Sequence, residues 1–140
     1  MPDDGTRLPD VVFVCVSNRG KSVMAEGLAR LDAADSLHAT SAGTSAKLGA
    51  SPNELSTQVL DEVGVDISAH RPRQLTDDLM RAADRVVVVG TAEVTPPDGV
   101  TVEVWDVDEP SARGIDGIDR MRLIRDELRS RIADLAVRLH

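Results

Sequence analysis

Residues 11–30, VVFVCVSNRGKSVMAEGLAR, decide the fold and raise the functional question. The first part, VVFVCV, is apolar and mostly β-branched without alternation, the pattern of a strand buried on both faces. SNRG supplies loop formers, and from Lys21 onward Val23, Leu28 and Leu31 recur at helical spacing, with Met24 and Ala25 filling the same face. The unit is strand, tight loop, helix. Its strand ends on the chain's single cysteine, Cys15, and its helix opens on Lys21 and Ser22.

The same alternation runs outward from this unit. SLHATSAG (36–43) reads as a second strand ending at Gly43, and PNELSTQVLDEVG (52–64) as a helix with Pro52 in its first turn, Leu55, Val59 and Leu60 on its face and Gly64 as its stop. VDISAHRPRQL (65–75) is an irregular connector, and TDDLMRAA (76–83) a short helix for which Thr76 and Asp77 both suit the N-cap. DRVVVVG (84–90) is the clearest strand, because four consecutive valines prefer extended backbone. VTVEVW (100–105) alternates like an outer strand, and DVDEPSARGIDG (106–117) is a polar loop long enough to suspect a function. The chain closes on an amphipathic helix, 118–139, with Met121, Ile124, Leu128, Ile132 and Leu135 on one face and an Arg/Asp alternation that reads as a solvated face with i,i+4 pairs.

Strands alternating with helices predict a three-layer α/β/α sandwich around a four-stranded parallel sheet, in a single domain over residues 1–140 with a loose leader at 1–9. Ligands of such sheets sit beyond the carboxyl ends of the strands, which is where Cys15 lies. The length of 140 residues, with 41% hydrophobic and 29% charged, suits one ordinary globular core. That core must be aliphatic, since Phe13 and Trp105 are the only aromatic residues.

A net charge of −8 argues against nucleic-acid or acidic-membrane partners, so an anionic substrate would have to be held by a local cluster of donors. No apolar run approaches the roughly 18 residues of a membrane span, and MPDDGTRLPD lacks a signal-peptide core, so a cytoplasmic location is expected. One cysteine cannot form an internal disulfide, a redox pair or a cysteine-rich metal site. His38, His70 and His140 share no metal-like spacing and read as structural, and Trp105 reads as a core or rim residue.

A loop between a strand and a helix N-terminus collects backbone N–H groups into an anion cradle. CVSNRGKS matches the nucleotide-binding phosphate loop from Gly20 to Ser22 but fails at its leading glycine, where Cys15 stands; RVVVVG ends in Gly90, and Asp106 is a weak substitute for the acidic magnesium ligand. The other reading is nucleophilic. A sulfur facing several N–H donors, a helix N-terminus and the Lys21 ammonium is favoured as thiolate, and the Ser22 hydroxyl can donate to it. Asn18 suits the bend because asparagine tolerates left-handed backbone. Taken alone, Cys15 also fits the role of a small buried hydrophobe.

At these residues the chain resembles the low-molecular-weight protein tyrosine phosphatases and the arsenate reductases that share their fold. Their signature is a first-strand cysteine, five further residues, an arginine and then serine or threonine. The likeness covers Cys15 to Ser22, the Met24-Ala25-Glu26 triplet, SAGT (41–44), GVDISAHRPRQL (64–75), Glu109-Pro110 and RLIRDELRSRI (122–132), so nearly the whole chain follows in order. The resemblance implies that Cys15 is the nucleophile and that the backbone of Val16, Ser17, Asn18, Arg19, Gly20, Lys21 and Ser22 is the oxyanion cradle. It further implies Ser22 as the partner of the sulfur and Glu109 as the general acid, with Asp108 adjacent as the alternative. Asn18, Glu26, Ser41 and Asp66 fall where some reductases hold a structural potassium ion; ordinary loop and helix polar roles fit them too.

Three departures from the family pattern matter. Lys21 replaces the arginine and supplies charge without the planar fork that grips two oxygens; losing one charge-assisted bond of about 1.5–3 kcal/mol would weaken oxyanion binding tenfold or more. Arg19 is either a substitute grip or a solvated side chain. The acid loop has Glu-Pro where Asp-Pro is usual, and the SARG that follows, at 111–114, offers no aromatic wall for a phenyl ring. A small inorganic oxyanion such as arsenate suits that loop better than phosphotyrosine.

The family's thioredoxin-using reductases carry two further cysteines near the third strand, and VVVVGTAEVTPP (86–97) has none. The resemblance therefore implies an arsenate reductase with no tightly bound cofactor, which takes an external thiol such as mycothiol and a glutaredoxin-like reductant. A phosphatase toward small phosphoesters or proteins, and a catalytically weak oxyanion-binding or regulatory protein, are the alternatives.

Overall fold

Val86, Val87, Val88 and Val89 pack into the centre of a sheet because a β-branched run has neither a polar face for water nor the rotamer freedom a helix rewards. The computed structural model describes residues 7–140. Its strands are β1 (Asp10–Cys15), β2 (His38–Gly43), β3 (Arg85–Val89) and β4 (Val102–Trp105), and its helices α1 (Lys21–Asp32), α2 (Glu54–Asp61), α3 (Asp77–Ala82) and α4 (Gly117–Arg138). All strand pairs are parallel, in the order β2-β1-β3-β4. The alternating VTVEVW segment is an edge strand as expected, with Val104 exposed on one face and Trp105 buried on the other.

The two faces of the sheet are covered unequally. Val11, Phe13, Val87 and Val89 join the buried side chains of α1, α2 and α4 in the larger core, where Phe13 and Trp105 pack with ring centroids 5.7 Å apart. Val12, Val14 and Val86 face the other way, onto Met80 of α3 and the half-buried Leu75, Leu79, Val94 and Val100. The three-layer sandwich is thus present with one thick and one thin layer. Cys15 shares the parity of Val11 and Phe13, which turns its sulfur toward α1.

Several boundaries differ from the sequence reading for local reasons. The second helix begins at Glu54, with Pro52 left outside, because the Asn53 side chain caps it by accepting from the Ser56 N–H. Of the two candidate caps of α3, Thr76 serves, accepting from the Leu79 N–H. The polar loop 106–117 carries a 3-10 turn, Pro110–Arg113, capped by the Glu109 side chain and stopped at Gly114 with φ 82°. Residues 1–6 of the expected loose leader lie outside the described residues; residues 7–9 are held, since the Pro9 carbonyl accepts from the His38 N–H and Arg7 pairs with Asp10.

The arginines of α4 form the expected i,i+4 pairs and add ion pairs to other elements. Because α4 lies against α1 and α2, Arg122 and Arg125 reach Glu62, Arg129 reaches Asp32 and Arg138 reaches Glu103 of β4; Arg131–Glu127 and Arg138–Asp134 are the i,i+4 pairs. No helix among the described residues is long and apolar enough to cross a membrane.

Candidate active site

The loop after β1 is shaped by where its carbonyls go. Cys15 O accepts from Thr44 N–H, Val16 O from Ser45 N–H, Ser17 O from Lys47 N–H, Arg19 O from Asn53 N–H and Gly20 O from Met24 N–H. Asn18 O faces Nε2 of His70. With six successive carbonyls turned outward, the amides are what the loop presents to its own centre, and Gly20 ends it at the N-terminus of α1 with no side-chain cap on the helix.

Gly43 makes this fit possible. A Cβ there would stand 2.6 Å from Val16 O and 3.0 Å from Asn18 N, so only glycine lets the end of β2 pass under the loop.

Asn18 is the one non-glycine residue with positive φ among the described residues, at 57°, and it is fully buried. Its Oδ1 accepts from Arg73 N–H at 2.9 Å and faces Nε2 of His70 at 3.2 Å, and its Nδ2 donates to Ser22 Oγ at 2.9 Å and Ser41 Oγ at 3.0 Å. Both partners of His70 Nε2 are oxygens, so that nitrogen carries the proton. Ser41 in turn donates to Glu26. Since Ser22 Oγ receives the Asn18 amide, its hydroxyl hydrogen is left for Cys15 Sγ, 2.9 Å away. A buried relay from Glu26 through Ser41, Asn18 and Ser22 ends on the sulfur.

Cys15 is 8% exposed at the floor of a pocket of about 190 Å³, lined by Val16, Ser17, Gly20 and Lys21 on one side and Val89 to Ala92 on the other. Sites for drug-sized ligands run roughly 300–1,000 Å³, so this one suits a small guest. No aromatic ring lines it, because Phe13 and Trp105 are both buried in the core. A larger cavity of about 390 Å³ lies on the far side of α1, among Val23, Glu26, Gly27, Asp66, Ile67 and His70, but it holds no nucleophile.

The candidate residues divide clearly. Cys15, Ser22, Asn18, Ser41 and Glu26 are brought into one network, and Lys21 lines the sulfur's pocket. Arg19 is turned away, its Nε donating to Ser51 O at 2.7 Å, so it is no substitute for the missing arginine fork. Asp108 points to Arg113 at 2.8 Å and is half exposed.

Glu109 is clamped. Arg120 Nη2 and Nε lie 2.6 Å from Glu109 Oε1 and Oε2 respectively, Ser111 adds its N–H and hydroxyl, and Lys21 Nζ stands 3.9 Å from Oε1. The Arg120 fork first, with Ser111 helping, holds this carboxyl down at about 2 against the opposing effect of desolvation. A general acid needs the neutral form, and in this arrangement Arg120 and Ser111 favour the charged one.

The potassium quartet is drawn together, with Asn18, Ser41 and Glu26 hydrogen-bonded in series and Glu26 and Asp66 lining one cavity, but protein donors engage its oxygens. Asn18 Oδ1 is taken by Arg73 and His70, one Glu26 oxygen by Ser41 and the other by Arg30 at 2.8 Å, and Asp66 Oδ1 by the Ser68 N–H. The Arg30 guanidinium already supplies the positive charge that a bound ion would bring to Glu26. Among the described residues no group of three or more His, Cys, Asp or Glu side chains is placed to hold a metal.

His70, Gly43, Arg30 and Arg120 act in or around the site without having been singled out for it. His70 lay inside the GVDISAHRPRQL likeness, which was its available signal; Arg120 carried none, being one arginine among many on α4.

Comparison with known proteins bears on the family and the fold. The chain is 32% identical over 133 residues to arsenate reductase 1 of Staphylococcus epidermidis, covering 92% of this chain and 96% of that one. It is 36% identical over 83 residues, 59% of this chain and 57% of the other, to a probable low molecular weight protein-tyrosine-phosphatase of Ralstonia solanacearum. Among solved structures, a thioredoxin-dependent arsenate reductase of Corynebacterium glutamicum superposes with a TM-score of 0.76 at 32% identity over 96% of this chain, which spans 63% of that longer protein. An arsenate reductase in its phosphate-binding state gives 0.77 at 25% identity, with 95% of this chain and 100% of the other covered. Residues 10–95 match the low molecular weight phosphotyrosine protein phosphatase family, and the chain belongs to it.

Proposed function

We propose that the protein is an arsenate reductase that uses Cys15 as nucleophile and an external low-molecular-weight thiol, such as mycothiol, as reductant. The observation that carries this reading is the sole cysteine on the floor of a small, amide-lined pocket with no aromatic wall. The sulfur attacks arsenic, an As–O bond breaks with its oxygen departing as hydroxide that takes up a proton to become water, and the loop amides and Lys21 neutralise the remaining oxygens. The external thiolate then attacks the Cys15 sulfur; the S–As electron pair passes to arsenic, reducing As(V) to As(III) and leaving a mixed disulfide for a glutaredoxin-like thiol to open. No second cysteine exists to form that disulfide within the chain. The location expected for this chemistry is the cytoplasm.

The test compares arsenite release with mycothiol, glutathione and thioredoxin systems, with Cys15→Ser as control. Arsenite formed with a small thiol alone supports the reading, and release that requires thioredoxin overturns the thiol assignment. Phosphatase activity toward small phosphoesters is the second reading, favoured by family membership and by the same cradle. In that case the Cys15 adduct is a phosphoenzyme opened by water. A weak oxyanion binder without turnover would show only protection of Cys15 from iodoacetate by phosphate or arsenate.

A further inference from the structure

We propose that Lys21, rather than a carboxyl of the loop carrying Glu109, delivers the proton to the oxygen that departs when Cys15 bonds to the substrate; this rests on the reading of Cys15 as nucleophile. An oxygen leaving arsenic or phosphorus as hydroxide or alkoxide needs a proton from a group beside the pocket. Glu109 offers none, because four donors from Arg120 and Ser111 converge on its two oxygens and the guanidinium is carried by α4, a rigid element of the core. Asp108 is turned to Arg113 and does not line the pocket. Apart from Cys15 itself, Lys21 is the one ionisable side chain among the described residues that line it.

Lys21 reaches between the acid loop and the end of β3. Its Nζ stands 3.9 Å from Glu109 Oε1, and a Cβ added at Gly90 would come within 3.6 Å of that Nζ, so the ammonium lies against the bare backbone after β3. The titratable groups facing it are Cys15 from the end of β1 and Glu109 from the acid loop, with Arg120 of α4 behind the carboxylate. An ammonium gives up a proton, whereas a guanidinium does not. The replacement of the family's arginine therefore pairs with the clamping of the family's acid: the proton donor has moved from the acid loop to the start of α1.

In the step, the Sγ–As or Sγ–P bond forms while the bond to the departing oxygen breaks with its electron pair on that oxygen. One Nζ–H proton passes to it, giving water from arsenate or an alcohol from an ester. Nζ is left as a neutral amine, and with 24% of the side chain exposed it regains its proton from solvent.

The experiment uses aryl phosphates of graded leaving group, 2,4-dinitrophenyl against phenyl phosphate, with arsenate alongside and the Cys15 adduct trapped by mass spectrometry. Lys21→Arg keeps the charge and improves the oxyanion grip. The expected result is that it loses at least about tenfold more kcat on phenyl than on 2,4-dinitrophenyl phosphate. Lys21→Met shows the same split, while Glu109→Gln and Arg120→Met lower both substrates by similar factors. A uniform loss in Lys21→Arg, or a selective loss on phenyl phosphate in Glu109→Gln, overturns the proposal while leaving Cys15 as nucleophile. A wild-type protein that forms no Cys15 adduct with any of these substrates overturns the underlying reading and the proposal with it.

Discussion

Arg120 and Glu109 meet fork to carboxylate, with two N···O distances of 2.6 Å across the junction between α4 and the acid loop. The pair turns the residue that the family pattern marks as an acid into a fixed anion between two cations, Arg120 and Lys21. Planar bidentate contact of this kind is among the stronger ion pairs, although Glu109 is 40% exposed and the gain is screened accordingly.

The first prediction concerns the charge state of that carboxyl. With its native value lowered to about 2 from an ordinary 4.5, the stability it contributes is complete above the unfolded value and is lost as pH falls through about 2. NMR titration of the Glu109 carboxyl is expected to give a midpoint near 2 in the wild type. In Arg120→Met the midpoint should return toward 4.5, because the first-named cause is gone. A wild-type midpoint near 4.5 would show that the fork does not hold in solution.

Asn18 ties the loop to three parts of the chain. Asn18→Ala removes hydrogen bonds to Ser22, Ser41, Arg73 and His70 and leaves an alanine at φ 57°. A left-handed backbone costs a residue with a Cβ about 1–2 kcal/mol, and each lost buried hydrogen bond about 1 kcal/mol. Urea unfolding should register a loss of about 5 kcal/mol, with weaker phosphate protection of Cys15 against iodoacetate. Asn18→Gly restores the backbone and not the network, so it should recover a part of the stability and little of the protection.

Gly43 makes a sharper steric prediction. Gly43→Ala drives a Cβ to 2.6 Å from Val16 O, a contact with backbone on both sides that has no rotamer to escape into. Gly20→Ala meets its nearest atom, Ser56 Oγ, at 3.8 Å, an ordinary van der Waals contact. Melting temperatures and sulfate affinity should both fall in the first variant and change little in the second. Equal effects would mean that the loop is soft enough to move.

The difference between these two glycines also marks what sequence reasoning can reach. Strand and helix order followed from periodicity: the valines of β3 and the five buried apolar residues of α4 announce their partners by spacing alone. The place of Cys15 in the pocket followed from one cysteine at a strand end. The clamp on Glu109 did not, because it depends on which turn of α4 passes the acid loop, and Arg120 is indistinguishable in sequence from Arg122 or Arg125, which reach Glu62. His70 was similarly silent: its contact with Asn18 spans 52 positions, and a lone histidine in a connector carries no period to betray it. Long-range polar pairings are set by the fold, and local spacing encodes the fold only after the layers have packed.

Arg30 supports the last prediction, that the loop needs no alkali cation. Its guanidinium holds one oxygen of Glu26, whose side chain is 13% exposed, while Ser41 donates to the other, so the carboxylate that anchors the relay to Cys15 is already neutralised from within the chain. Melting temperatures in potassium, sodium and choline chloride at equal ionic strength should coincide to within about 1 °C for the wild type, since an ion that does not bind the native state cannot stabilise it. Arg30→Met strips Glu26 of its cation and leaves a largely buried carboxylate unpaired, which is expected to destabilise the protein by about 1–3 kcal/mol. Such a vacancy favours a small cation over choline, so the variant should regain part of its melting temperature in potassium or sodium chloride. A specific rise of the wild-type melting temperature in potassium would mean that Asn18, Ser41 and Asp66 rearrange to ligate the ion and that Arg30 is displaced by it.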